Sequence, residues 1–191
     1  MFVITGTPGV GKTDISERLA IRLDALHIDV GELVKKEKIT SGYDENRQTF
    51  IADTTKLARR VQQTIAGTRK AVIIDGHYGT EVAPKDQLAR VFVLRCHPMK
   101  LRQRMEEKGF RGAKVKENLA AEILDVCLSE AIENAGTEKV CELDTTDKTP
   151  DTVVTEIMSI LKTKRRCLTG IVDWLGQLEM ENSLDQYLQD F

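Results

Sequence analysis

Residues 2–13 read Phe2-Val3-Ile4-Thr5-Gly6-Thr7-Pro8-Gly9-Val10-Gly11-Lys12-Thr13. A short β-forming run leads straight into G-x-x-x-x-G-K-[ST], matched at every fixed position. The glycines let the backbone wrap closely around phosphate oxygens with its N–H groups turned inward. The amphipathic stretch that begins near Lys12 predicts a helix, whose first turn adds the positive end of a dipole. In such a loop Gly9, Val10 and Gly11 cradle the phosphates of ATP. Lys12 reaches the β- and γ-phosphates, the Thr13 hydroxyl ligates Mg2+, and Asp14 suits the first helical turn.

The same rhythm of strand, turn and helix continues along the chain. Further β-rich runs are Ala25–Ile28, Ala71–Asp75, Val91–Leu94 and Val140–Leu143. Helical patterns lie at about 12–23, 54–66, 98–108, 116–135 and 151–162. Leu119, Ile123, Val126, Cys127 and Ala131 give the fourth its apolar stripe. Strands alternating with helices predict a parallel sheet covered by helices on both faces, an α/β sandwich. Residues 29–53 and 108–116 interrupt the rhythm and read either as surface connections or as segments that cover a substrate.

The chain has 191 residues, 41% hydrophobic, 5% aromatic and 30% charged, with net charge -2. That length suits one domain with an appendage, and the charge excludes a strongly basic nucleic-acid binder. No apolar run is long enough for a membrane helix, and the start lacks the features of a signal peptide. Residues 168–191 contain five acids and no Lys or Arg, which leaves a mildly basic body. Cys96, Cys127, Cys141 and Cys167 are widely spaced, as reduced thiols of a cytoplasmic protein would be. After the basic cluster Lys164-Arg165-Arg166, the residues Leu168, Ile171, Val172, Leu175 and Leu178 fall at helical spacing beside Trp174. A second stripe runs through Leu184, Tyr187, Leu188 and Phe191. This tail, 164–191, reads as helices lying on the protein's own surface or as helices that dock on a partner.

Asp75 ends the apolar run Ala71–Ile74, where an acid that holds Mg2+ through water would stand opposite the loop. An Asp-Gly pair is also a turn signal. His77 follows, able to orient a water or phosphate as a neutral imidazole, or to serve as a loop histidine. A guanine-recognition N-K-x-D is absent and the chain is too short for a transport ATPase. A small kinase is the branch that remains.

The ordered set of motifs resembles the atypical adenylate-kinase-like proteins of archaea and eukaryotic nuclei. The resemblance runs from the loop 6–13 through His27–Leu33, Ser41–Glu45, Asp75–Gly79, Val91–Arg95 and Leu101–Phe110 to Asn118 and Glu122. It implies a P-loop fold with a five-stranded parallel sheet in the order 2-3-1-4-5. It also implies a kinase domain over 1–163, with a monophosphate-binding segment at about 29–53 and a lid at about 103–114. The implied activity is transfer of the ATP γ-phosphate to AMP or another nucleoside monophosphate, with Mg2+ and accompanying ATPase activity. A role in small ribosomal subunit maturation is implied as well, with protein uS11 and the pre-30S or pre-40S particle as partners. The location would be cytoplasmic, or nuclear in a eukaryote.

On this resemblance Lys12, Arg104, His77 and Asp75 are the catalytic candidates, and Arg104 and Lys148 join the loop at ATP. Asp29, Gly31, Lys35, Asp44, Asp53 and His77 face the monophosphate. Lys35 stands where many relatives carry an arginine, and Lys108 replaces a lid arginine, with Arg111 nearby. Lysine is a point charge and does not clamp phosphate bidentately. A short lid that excludes water incompletely lets ATP hydrolyse beside transfer. An ATP-hydrolysing assembly factor with little kinase activity is the alternative. A kinase for another small acceptor, such as shikimate, is a more distant one.

Overall fold

The computed structural model describes residues 1–45, 49–163 and 167–188. The basic cluster Lys164–Arg166 and the last aromatic, Phe191, lie outside the described residues.

Strand β1 (Phe2–Gly6) runs through the middle of a parallel sheet. Its partners are β2 (Leu26–Asp29), β5 (Val72–Asp75), β6 (Arg90–Arg95) and β7 (Val140–Asp144), in spatial order β2-β5-β1-β6-β7. Counting only these five strands along the chain, the order is 2-3-1-4-5, as expected. Apolar residues of both parities are buried because both faces are covered. Ile4, Ile73, Phe92 and Leu94 point into one core, where α1 (Lys12–Leu23), α5 (Pro98–Glu107), α6 (Ala113–Ile123) and α8 (Pro150–Thr163) pack. Val3, Ile74, Val91 and Val93 point into the other, against α3 (Thr54–Ile65) and α7 (Val126–Ala135). The period-2 alternation of β1, β5 and β6 thus divides one sheet between two cores.

The structure refines or corrects four expectations. First, residues 29–53, which interrupt the strand–helix rhythm, carry regular structure of their own. They form α2 (Val30–Glu37) and an antiparallel hairpin of β3 (Thr40–Asp44) and β4 (Thr49–Ala52). Asp29 caps α2 by accepting the Glu32 N–H at 2.8 Å, and Val30 and Ile39 are buried. The Tyr43 and Phe50 rings meet edge to face at 5.1 Å across the hairpin. Second, the helix expected over 116–135 is two helices. The chain turns at Leu124–Asp125, where Asp125 takes a left-handed conformation (φ 56°) and its carboxylate bonds the Arg95 guanidinium.

Third, the tail is not helical from Leu168. Residues 167–173 run as a strap beside β7, with the Leu168 carbonyl accepting the Glu142 N–H at 2.9 Å. Leu168 and Ile171 are exposed, and α9 begins at Trp174 (Trp174–Met180), followed by the short α10 (Asp185–Leu188). Trp174, Leu178 and Tyr187 join the core that also holds α1, α5 and α8. The expectation of four reduced thiols also fails, because Cys141 of β7 and Cys167 of the strap are disulfide-bonded with Cα atoms 4.5 Å apart. Residues 26 positions apart in sequence are adjacent here because the strap doubles back along β7. Cys96 and Cys127 are free.

Phe92 sits at the centre of the first core, fully shielded from solvent. Phe92→Ala should lower the free energy of unfolding by about 3–5 kcal/mol, measured by urea titration. A loss well under ~1 kcal/mol would mean that this core does not carry the fold.

Candidate active site

The loop between β1 and α1 turns on three glycines with positive φ: Gly6 (138°), Gly9 (99°) and Gly11 (102°). Two of them also permit close approach. A Cβ on Gly6 would lie 2.4 Å from the Leu94 carbonyl oxygen, and one on Gly9 would lie 2.8 Å from Met105 Cγ. The Lys12 ammonium donates to the Gly6 carbonyl at 2.7 Å and the Thr7 carbonyl at 3.1 Å. It is therefore drawn back over the loop that it serves. Burial lowers its pKa from the usual lysine value, opposed by the nearby Cys127, Asp75 and Glu122; the Lys108 charge adds to the lowering. Thr13 is exposed at the first turn of α1.

A cleft of about 260 Å3 opens beside the loop. It brings Gly9, Val10, Gly11, Asp14, Arg104 and Lys148 together, and Lys108 and Thr145 also line it. While Lys12 and Thr13 do not line this cleft, six of the residues expected at ATP thus converge from the loop, α1, α5 and the turn after β7. Two of them are tethered. Arg104 donates to the Thr145 and Thr146 carbonyls, both at 2.9 Å, and to the Thr145 hydroxyl at 3.3 Å. Lys148 bonds Glu156 at 3.0 Å. Asp14 pairs with Arg18 at 2.6 Å on the helix surface.

On the other side of the loop, Asp75 ends β5 next to β1 and is buried. Its carboxylate pairs with His27 Nε2 at 2.9 Å. The Asp75 hydrogen bond raises the His27 pKa above its ordinary value, against the effect of burial. His77 is open to solvent on one side and stacks on Tyr78, ring centroids 3.8 Å apart. The surrounding protein, and then the Lys12 charge, push its pKa down to about 4, so the ring is neutral at pH 7.

The residues expected at a monophosphate fall into two groups. Asp29 is in register with Asp75 across the β2–β5 pair, and Gly31 follows it in the first turn of α2. Gly76, at φ 131°, lets the end of β5 close on that turn, since a Cβ there would lie 2.4 Å from Val30 Cγ2. Lys35 is exposed on α2, and Asp44 lies at the end of β3, so both belong to the outer arm. Asp53 caps α3, accepting the Lys56 N–H at 2.9 Å and pairing with the Lys56 ammonium at 3.0 Å. Asp29 and Asp53 therefore each have a helix-capping role.

The sequence reading missed His27 and the environment of Glu122 as parts of the site. Glu122 is buried beneath the loop, where it accepts the Thr7 hydroxyl at 2.5 Å and the Arg95 Nε–H at 2.8 Å. Its spacing partner Asn118 bonds only the Lys114 carbonyl, near the surface. The motif resemblance picks out Glu122 by its spacing from Asn118, but its place beneath the loop appears only in the fold.

The family profile described as an AAA domain matches residues 3–125. A protein of Methanocaldococcus jannaschii bearing the name "Putative adenylate kinase" is 41% identical over 173 residues, covering 91% of this chain and 92% of the relative. The chain belongs to this adenylate-kinase-like family of P-loop proteins. Relatives of the same name from Natronomonas pharaonis (37% identical; 92% of this chain, 98% of the relative) and Thermococcus onnurineus (38%; 90% and 89%) agree. Among solved structures, a shikimate kinase from Acinetobacter baumannii superposes with TM-score 0.59 over 86% of this chain and 93% of its own. At 16% identity that likeness speaks for the fold alone. The chain is a nucleotide-binding P-loop protein of kinase-like type.

Gly6→Ala tests the loop's backbone. The added methyl meets a backbone carbonyl, which no side-chain rotation relieves. ATP affinity, measured by calorimetry on protein that remains folded, should fall by at least about tenfold, the equivalent of one or two kcal/mol of strain. Unchanged affinity would show that the loop accommodates ATP in another conformation.

Proposed function

We propose that the chain is a nucleoside monophosphate kinase that moves the γ-phosphate of ATP to AMP or a related monophosphate. One observation supports this most. The pre-formed loop stands between a cleft lined by Arg104 and Lys148 and an opposite wall built from Asp75, His77 and the start of α2. Phosphoryl transfer needs two phosphate-bearing groups held in line, with cations around the developing charge, and little covalent help. The two sides offer a place for each. The relatives that bear an adenylate kinase name support AMP as acceptor.

Thr13 and Asp75 present oxygen donors, the chemistry that suits Mg2+. Among the described residues no group of three or more His, Cys, Asp and Glu side chains could hold an ion. Such a cation would therefore be shared with substrate phosphates and water, as Mg2+ usually is. When bound, Mg2+ would neutralise charge between the β- and γ-phosphates. Lys12 would leave its two carbonyl acceptors for the same oxygens. Arg104 and Lys148 would shape the nucleoside end of the cleft, and Asp29, Gly31, Lys35, Asp44, Asp53 and His77 would surround the acceptor.

Accompanying ATP hydrolysis is the second reading, and one observation favours it. Arg104, a catalytic candidate on the motif resemblance, is bonded to the turn after β7, while Lys108 lines the same cleft. A flexible point charge closes over phosphate less completely than a guanidinium fork and admits water. Neutral His77 would orient that water. The work in small ribosomal subunit maturation, with uS11 as partner and a cytoplasmic or nuclear location, rests on the motif resemblance.

Nucleotides should be separated after incubation with Mg2+ and ATP, alone and with AMP. Transfer predicts two ADP for each ATP consumed, dependent on AMP, and slower phosphate release in its absence. Phosphate release indifferent to AMP, without AMP-dependent ADP, would overturn the kinase reading and leave the ATPase. His77→Gln should lower phosphate release more than transfer.

Lys12→Met should reduce both activities by about 100-fold or more, the usual cost of removing a charge aimed at the transition state. Retention of either activity would place that chemistry elsewhere.

A further inference from the structure

The C-terminal strap reaches the phosphate loop through a single buried carboxylate. Trp174 donates its indole N–H to Glu122 Oε1 at 3.1 Å. The same oxygen accepts Arg95 Nε–H at 2.8 Å and the Cys96 backbone N–H at 3.1 Å. With Oε1 held by three donors, Oε2 is turned to the Thr7 hydroxyl, 2.5 Å away. Thr7 in turn uses its carbonyl to hold the Lys12 ammonium and the Val10 N–H. A line of hydrogen bonds thus joins Trp174, Glu122, Thr7 and Lys12.

The burial makes this line matter. Glu122 is 1% exposed, so water cannot replace a donor that is lost. The Arg95 guanidinium lies among three carboxylates, those of Glu122, Glu142 and Asp125. Negative charge in that pocket exceeds positive, and neutral N–H donors have to make up the difference. The strap supplies two of them: Trp174 to Glu122, and the Ile171 backbone N–H to Glu142 at 2.9 Å.

We propose that Glu122 is a positioning residue for the phosphate loop and that Trp174 is the clamp that orients it. The strap then sets nucleotide affinity without touching the nucleotide. This inference rests on the reading of the loop as an ATP site. A strap that merely covered the core would affect stability and leave affinity alone.

Trp174→Phe keeps the ring in the core and removes the N–H. The test is calorimetric binding of a non-hydrolysable ATP analogue with Mg2+ to the full chain, at a temperature where each variant is folded. Trp174→Phe should weaken binding about 3- to 10-fold, part of what one hydrogen bond to a charged group is worth. KM for ATP should rise with kcat little changed. Thr7→Val should weaken binding at least as much, and Thr7→Ser, which keeps the hydroxyl, should restore most of it. In the Thr7→Val background, Trp174→Phe should have no further effect, because the line is already cut.

Equal affinity of wild type and Trp174→Phe, or additive losses in the double variant, would overturn the proposal. A wild-type chain that binds no analogue would instead overturn the ATP-site reading. Should Thr7→Val fail to fold, the tryptophan itself supplies the measurement, since the chain has only one. Its emission should change with the analogue along the calorimetric isotherm and lose most of that change in Glu122→Gln. An unresponsive tryptophan in the wild type would overturn the proposal.

Discussion

A guanidinium removed from water requires carboxylates around it, and Arg95 is 1% exposed at the end of β6, next to the central strand. Its requirement organises the surrounding elements. Glu122 comes from α6, Glu142 from β7, and Asp125 from the turn after α6. To bring Asp125 within reach, the chain leaves the helical path at Leu124, which separates α6 from α7. To satisfy Glu142 and Glu122, residues 167–174 lie along β7 instead of coiling at once into a helix. One buried cation thus sets a helix break, the course of the strap and the floor of the phosphate loop. Removing Arg95 would leave the buried Glu122 and Glu142 carboxylates facing each other without a cation, which is much costlier than the complete cluster.

The phosphate loop rests on that floor. Its glycines supply the positive φ values and the clearance, which local sequence can specify. Holding Thr7 is a separate task, met by Glu122 from more than a hundred residues further along the chain. Thr7 orders Lys12 and Val10 through its own carbonyl. These contacts order the loop backbone, and an ordered backbone lowers the ordering cost of binding a ligand.

The sheet was legible because each of its five strands is short, apolar and followed by a helical period, and the motif fixed which strand came first. Much of the cleft beside the loop was legible too: Gly9, Val10, Gly11 and Asp14 belong to one motif, and the motif resemblance supplied Arg104 and Lys148. What escaped depends on distant partners. The arm at 29–53 is anchored in the second core by Val30 and Ile39, and its exposed hairpin is held by Tyr43 against Phe50. Asp125 looks like an ordinary helix residue until Arg95 is seen beside it. Leu168 and Ile171 keep helical spacing, yet hydrogen bonds to Glu142 hold the strap extended there. His27 showed nothing until the β2–β5 pair brought it to Asp75.

The two ends of the site differ in how firmly their cations are held. Arg104 has three acceptors on the turn after β7, so moving it toward phosphate would cost those bonds before gaining any. Lys108 stands at the start of a loop whose two glycines, Gly109 and Gly112, both have positive φ. Its charge already acts on Lys12 and contributes to lowering that pKa. Two like charges near one loop repel each other until an anion lies between them. Arrival of the ATP phosphates would therefore convert a repulsion into two attractions, drawing the Lys108 loop inward. On the proposed function, closure would depend on ligand charge more than on a rigid arginine clamp. A site closed in that way should hold triphosphate well and exclude water less completely, which is the physical basis for expecting transfer and hydrolysis from one loop.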